Sequence, residues 1–218
     1  AAITPPDEVQ KRIDERTVEL KLRKGARFHN GDEVTADDVA FTFGPEHMFG
    51  TTKPFRVGDA PATARAADGK ALFTNATKVL GPTPPPEVPA IARRLWPSLE
   101  EVKIIDKYTV RFINAVPDVT MEGRLARSGS EIISKRAYLA AKDWASWARN
   151  PVSAGPFKIK EFRPDNLLVL VAHDDYYGGR PNVREIRYQV VPEVPGRVNG
   201  LLTGEYDFVT DIPPDQIK

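Results

Sequence analysis

The most regular pattern in the chain is an alternation of apolar and polar residues from Thr17 to Arg23. Val18, Leu20 and Leu22 fall on one side of the extended chain, and the polar residues between them fall on the other side. This period of two predicts a half-buried strand, antiparallel to its neighbour. Shorter patterns predict further strands at 102–105, 109–113, 157–162, 167–173 and 184–191.

A turn and a helix start follow the first strand. Asn30-Gly31 predicts a tight turn, because both residues tolerate positive φ. Thr35 predicts a helix N-cap whose hydroxyl accepts from the amide of Asp38. Asp37 and Asp38 then lie in the first turn, where the helix dipole stabilises negative charge.

Further helices are expected later in the chain. Two are predicted between residues 121 and 141, on either side of the polar loop 127–130. Another is predicted at 199–203, where Gly204 would end it. Residues 51–80 have no clear period, and we expect a mixed loop and helix segment there.

Proline and a change of rhythm mark the connections. Of the 20 prolines, several lie in the stretches 81–89 and 192–195, which predict extended connectors because proline fixes φ and lacks an amide donor. Near residue 150 mixed helices and strands give way to closely spaced strands. We therefore expect two regions, 1–150 and 151–218, on either side of that boundary.

The composition limits the function classes. A formal net charge of +1 does not supply the clustered positive field that nucleic acid binding requires. The longest uninterrupted apolar run, from Leu167 to Ala172, is far shorter than the ~20 residues that cross a bilayer. The chain has no cysteine, which excludes disulfides, thiolate nucleophiles and cysteine metal sites.

His29 lies close in sequence to several acidic residues, which raises the question of a metal site. A zinc site would need two or three histidines at short spacing, whereas His47 and His173 are isolated in sequence. The acids also have structural explanations: Asp37 and Asp38 cap a helix, and the two acids that follow the turn, Asp32 and Glu33, are predicted to be solvated. We expect no metal at this cluster and a histidine packed on a strand end.

Catalytic patterns are absent from the sequence. It contains no GxSxG, HExxH, P-loop or GxGxxG pattern. Asp174 and Asp175 are adjacent, and neighbours on an extended chain point apart, which argues against an acid–base pair. We expect a protein that is not an enzyme.

Five stretches together resemble one family, the extracytoplasmic solute-binding proteins of ABC importers, in the family 5 group that carries peptides, nickel complexes and related solutes. They occur in the family's order and spread over most of the chain. The stretches are 22-LRKGARFHNGDEVTADDVAFTF-43, 105-IDKYTVRFI-113, 154-AGPFKIKEF-162, 174-DDYYGG-179 with Pro181, and 200-GLLTGEYDF-208.

The resemblance implies a mixed α/β (α+β) fold of the periplasmic-binding-protein-like class II, with two lobes and present only in part. Residues 1–150 would form most of the smaller lobe, incomplete at its N-terminal side. Residues 151–218 would form part of the ligand-binding lobe, which would continue beyond this chain. We therefore expect a fragment of a longer protein.

The resemblance also implies a mechanism and partners. The whole protein would capture a small solute, a peptide or a metal chelate, by hinge closure between its lobes, and deliver it to the membrane permease of an ABC transporter. It would be a monomer without a cofactor, a bound metal or a nucleic acid partner. It would be periplasmic or otherwise extracytoplasmic, and lipid-anchored in a Gram-positive bacterium.

Candidate ligand contacts lie in the loop 124-RLARSGSEII-133, which resembles a region that faces the cleft in members binding carboxylate-bearing chelates. The candidates are Arg124, Arg127 and Ser130, and Arg127 could bind a ligand carboxylate through two parallel hydrogen bonds. The alternative is a solvated surface arginine. The tryptophans also have two interpretations, as residues that line a pocket or as residues of the core. They are Trp96, Trp144 and Trp147.

Two other function classes remain open. A peptide-sensing or scaffold receptor domain without transport would share all five stretches. A hydrolase is the other class, and it would have to turn over a substrate without any permease.

Overall fold

The structure is a computed structural model that describes residues 10–44, 47–48, 81–127 and 129–216. The segment predicted as mixed loop and helix at 51–80 lies outside the described residues. The described elements, in chain order, are β1 (Gln10–Arg12), β2 (Thr17–Lys21), α1 (Ala36–Thr42), α2 (Glu87–Leu95), β3 (Leu99–Asp106), β4 (Thr109–Asn114), α3 (Met121–Leu125), α4 (Lys135–Ala140), α5 (Trp144–Arg149), β5 (Phe157–Arg163), β6 (Leu167–Ala172), β7 (Glu185–Gln189), α6 (Val194–Thr203) and a short 3-10 helix (Pro214–Gln216).

The chain forms two compact units. The first comprises Ala1–Lys158 and Ala172–Asn182, and the second comprises Ile159–Val171 and Val183–Lys218. The sequence predicts a boundary near residue 150 between two lobes of a longer protein. This boundary stays a prediction.

The first unit contains a four-stranded antiparallel sheet in the order β1-β2-β4-β3. Val18 pairs with Phe112 and Leu20 with Val110, and all four side chains are buried. Directly opposed residues of antiparallel strands share a face, so these four form one apolar face of the sheet. The half-buried strand predicted from the alternation is confirmed.

Aromatic side chains fill the interior of the first unit. The ring of Phe43 lies 5.0 Å from that of Trp96 and packs edge to face, and Tyr138 makes the same kind of contact with Trp147 at 5.1 Å. Trp96 and Trp147 are buried members of these clusters, so the core alternative holds for both. Trp144 is half-buried beside the second cluster.

Most residues of a three-stranded sheet, in the order β5-β6-β7, lie in the second unit, and β6 and β7 are antiparallel. The helix α6 ends at Gly204, which has a φ of 78° and is the predicted stop. Among the described residues, no helix has the length and apolarity needed to cross a bilayer.

The prediction that the two proline-rich stretches are extended connectors is wrong in part. Helix α6 begins at Val194, inside the stretch 192–195, and α2 begins at Glu87, inside the stretch 81–89. Proline is tolerated in the first turn of a helix, where amide groups have no intrahelical acceptor. A proline cluster can therefore mark a helix start as well as an extended segment.

Candidate ligand-facing loop

The candidate loop follows α3, and a buried carboxylate fixes the chain before it. Asp118 accepts hydrogen bonds from the hydroxyl of Ser98 at 2.6 Å and from the hydroxyl and amide of Thr120 at 2.7 and 2.9 Å. Its carboxylate also lies 3.6 Å from Nε of Arg124. These contacts connect the start of β3 to the N-terminal end of α3.

The electrostatics of Asp118 follow from these donors. Burial alone would raise the pKa of this carboxyl, but the hydrogen bonds from Ser98 and Thr120 and the charge of Arg124 outweigh it, so the pKa lies below its usual value. Asp118 is therefore ionised at neutral pH.

The side chain of Arg124 binds other groups of the first unit. Its Nη1 donates to the carbonyl oxygen of Leu95 at 2.8 Å, and its Nε donates to the hydroxyl of Thr120 at 3.1 Å. Together with the Asp118 contact, these bonds join α3 to the C-terminal end of α2. A ligand at this guanidinium would therefore meet Nε and Nη1 atoms that already contact other groups of the protein.

A glycine sets the path of the loop. Gly129 has a φ of 93°, a conformation that disfavours side chains, and a Cβ placed there would lie 2.7 Å from Cδ1 of Leu95. Its carbonyl oxygen accepts from the indole of Trp96 at 3.3 Å, and its amide donates to the carboxylate of Glu131 at 2.8 Å. The loop backbone is thus held against the end of α2.

Ser130 and Arg127 have opposite environments. The hydroxyl of Ser130 is buried and lies 2.9 Å from the carbonyl oxygen of Leu125 and 2.5 Å from that of Arg127. The side chain of Arg127 is exposed and forms no ion pair or hydrogen bond with the part of the chain that the structure describes. Of the three predicted residues, Arg127 alone has a guanidinium that faces solvent and has no partner among the described residues.

The acids after the Asn30-Gly31 turn lie in a loop and are partly exposed, and each also has a partner that the sequence did not predict. Asp32 forms an ion pair with Arg136. Glu33 accepts from Nζ of Lys107 at 2.8 Å and from the hydroxyl of Tyr108 at 2.7 Å. Their partners are distant in sequence, so no local signal could have identified them.

The other acids of this cluster bind helix starts. Thr35 is the N-cap of α1, as predicted, and both its amide and its hydroxyl donate to the carboxylate of Asp38. The carboxylate of Asp38 also accepts from the amide of Lys135, at the first residue of α4. In the described part of the chain, no three His, Cys, Asp or Glu side chains form a group that could hold a metal ion.

Comparison with known proteins gives the family. Residues 7–218 match the model of bacterial extracellular solute-binding proteins, family 5 Middle. The oligopeptide-binding protein AppA of Bacillus subtilis is 26% identical over 207 residues, which cover 92% of this chain and 31% of that protein. The probable D,D-dipeptide-binding periplasmic protein DdpA of Escherichia coli is 25% identical over 208 residues, covering 94% of this chain and 33% of that protein.

Solved structures are similar in fold. A dipeptide binding protein from Pseudoalteromonas sp. SM9913 in complex with Met-Leu superposes with a TM-score of 0.67 at 22% identity, over 96% of this chain and 38% of that one. NikA from Staphylococcus aureus in complex with Ni(L-His)2 gives 0.67 at 16% identity, over 100% of this chain and 36% of that one.

The chain spans about a third of the length of the curated relatives it matches. These similarities confirm the predicted fold class, a part of a mixed α/β binding-protein fold. The match of residues 7–218 covers nearly all of this chain, which therefore belongs to the bacterial extracellular solute-binding proteins of family 5.

Proposed function

We propose that this chain is part of the solute-binding component of an ABC importer. Outside the cytoplasm, the whole protein captures a small, peptide-like solute between two lobes. It then delivers this solute to a membrane permease. The observation that carries this proposal is the family match over residues 7–218. The protein performs no covalent chemistry, because ligand binding and hinge closure suffice for delivery.

The class of solute is supported by the relatives. Relatives of this chain are named for binding oligopeptides and dipeptides, and a similar fold holds a nickel–histidine chelate. Peptides and histidine chelates share a carboxylate, which a guanidinium binds through two parallel hydrogen bonds. We assign that contact to Arg127, and we assign Arg124 and Ser130 to holding the loop that carries it.

The test is a calorimetric titration of the whole protein that contains this chain. The panel comprises dipeptides, oligopeptides, sugars and nickel chelates. Saturable binding of a peptide or a chelate supports the proposal, and a folded sample that binds none of them overturns solute capture. The 218-residue chain alone should bind the same solute weakly or not at all, and full affinity in this chain would refute binding between two lobes.

The residue assignment has its own control. Arg127→Ala should weaken binding of a carboxylate-bearing solute roughly tenfold or more, since a charged hydrogen bond contributes about 1.5–3 kcal/mol. Arg149→Ala removes another exposed arginine from the end of α5, outside the loop, and should leave affinity unchanged. Equal effects of the two substitutions would remove Arg127 from the site.

Transport is distinguished from sensing by a further measurement. Solute uptake into vesicles that contain the permease and its ATPase should require the whole protein. Genes for a permease and an ATPase beside its own gene would favour import over a sensing receptor. Binding without uptake in the presence of a functional permease would favour the receptor.

A further inference from the structure

Two histidines that are far apart in sequence meet at one carbonyl oxygen of the first unit. Nε2 of His29 lies 3.1 Å from the oxygen of Gly155, and Nδ1 of His173 lies 3.2 Å from the same oxygen. The ring centroids are 5.1 Å apart and the rings meet edge to face. Because a carbonyl oxygen only accepts hydrogen bonds, both rings donate to it, and this fixes the protonated nitrogen of each neutral ring.

The same two residues fix the backbone at this point. The amide of His29 donates to the carbonyl oxygen of Ser153 at 2.8 Å, and the amide of His173 donates to that of Pro156 at 2.8 Å. Ser153 and Pro156 lie just before β5, and His173 directly follows β6. The pair therefore holds the ends of β5 and β6 that lie in the first unit, where the chain leaves this unit and returns to it.

We propose that His29, His173 and the carbonyl of Gly155 form an acid-sensitive clamp on these ends of β5 and β6. A proton on His29 would add at Nδ1, the ring nitrogen that does not bond Gly155, and would leave that hydrogen bond in place. It would put a charge on a half-buried ring that meets the buried ring of His173 edge to face. That charge opposes the clamped arrangement.

The surroundings of His29 also disfavour its protonated form. Burial lowers the pKa of His29 most, the hydrogen bond to Gly155 raises it, and the charges of His173 and Lys158 lower it further. Asp174, next to His173, forms an ion pair with Arg180 at 2.7 Å. The other charged or titratable groups on the segments that meet here are Arg27 before His29, Asp175, Tyr176 and Tyr177 after His173, and Arg23, whose guanidinium lies over the ring of Tyr177.

The sign of the pH dependence follows from the lowered pKa of His29. Below its ordinary value of about 6.5, the unfolded chain binds a proton that the folded chain excludes. The stability that the clamp contributes is therefore complete above about pH 6.5 and is lost as the pH falls through the lower folded pKa.

His47 is a matched control in the same unit. It is buried, its Nδ1 lies 3.1 Å from the carbonyl oxygen of Thr42, and burial lowers its pKa. Its ring packs on Phe41 and Tyr138, and no second imidazole contacts it within the described residues. Its titration should therefore be independent of His29.

The coupling can be tested by proton NMR, because the chain has only three histidines and hence three imidazole signals to follow. In the His173→Gln variant the titration midpoint of His29 should rise, since a neighbouring charge is removed. In the His47→Gln variant the midpoint of His29 should not move. A His29 midpoint that is the same in the wild type and in His173→Gln would overturn the proposal.

Hydrogen exchange of the wild-type chain tests the clamp itself. After correction for intrinsic exchange, protection of the His29 and His173 amides should fall between pH 7 and pH 5, roughly tenfold for each unit by which the pKa is lowered. The amide of Ala115, which donates to Ser98 at 2.8 Å elsewhere in the first unit, should keep its protection. An equal loss at all three amides, or none at any of them, would overturn a local clamp even if His173→Gln failed to fold.

Discussion

Replacing Asp38 by alanine should destabilise the first unit far more than the same change at Asp37. The two acids are adjacent in the first turn of α1, and local sequence rules give them the same role. The structure separates them. Asp38 is buried, whereas the side chain of Asp37 is 58% exposed and forms an ion pair with Nζ of Lys135 at 2.9 Å.

The magnitude follows from the partners of Asp38. Its carboxylate accepts from the amide and hydroxyl of Thr35 at 3.0 and 2.8 Å, and from the amide of Lys135 at 3.0 Å. Truncation leaves two backbone donors without this acceptor, at about 1–3 kcal/mol each. The expected loss for Asp38→Ala is therefore about 3 kcal/mol. An exposed ion pair contributes about 0–1 kcal/mol, which bounds the loss for Asp37→Ala.

Urea unfolding followed by tryptophan fluorescence is the suitable assay, because Trp96, Trp144 and Trp147 all lie in the first unit. The free energies of unfolding are compared at equal slope with urea concentration, so that a change in the midpoint reports stability. Losses for the two variants that agree within about 1 kcal/mol would show that the bond from Asp38 to α4 contributes little.

Three further predictions use the same assay or its thermal equivalent. Gly129→Ala should lower stability by at least about 1 kcal/mol, because φ is 93° there, whereas Gly123→Ala in α3, with open space around the site, should raise it by about 0.5–1 kcal/mol; the opposite order would refute the strain argument. Gly200→Ala should lower the melting temperature of the second unit, because a Cβ would lie 2.2 Å from the ring of Tyr206; an unchanged value would contradict that close approach. The stability that Asp118 contributes should be present above about pH 3.8 and be lost as the pH falls through its lower folded pKa. In a plot of the urea midpoint against pH, Asp118→Asn should therefore reduce the fall on the acid side. Parallel plots for the wild type and the variant would refute this.

The fold was predictable where the signal is local. The alternation from Thr17 to Arg23, the Asn30-Gly31 turn and the Thr35 cap each depend on neighbours within four residues, and each is confirmed. Helix α5 was missed although it carries a local signal, because its N-cap Asp143 accepts from the amide of Ser146. Short elements of this kind are specified by packing, as Trp147 shows by its burial against Tyr138.

The candidate site was predictable only in part, because partners distant in sequence decide the role of each side chain. No spacing rule connects Asp38 to Lys135 or His29 to His173, and both pairs form only when the chain folds. The resemblance to a family proposed the loop after α3 as a candidate. It could not say which of its polar side chains the fold already uses.

Arg124 and Arg127 show why that distinction matters for function. Both are arginines on one short segment, and their chemistry is the same in the sequence. A ligand carboxylate that binds Arg127 displaces no protein partner among the described residues, whereas one that binds Arg124 meets a guanidinium that already contacts the carbonyl of Leu95 and the carboxylate of Asp118. Arg124→Ala should therefore lower the stability of the first unit together with any binding, and Arg127→Ala should lower binding alone. A ligand affinity that depends on Arg124 in a variant of unchanged stability would transfer the carboxylate contact from Arg127 to Arg124.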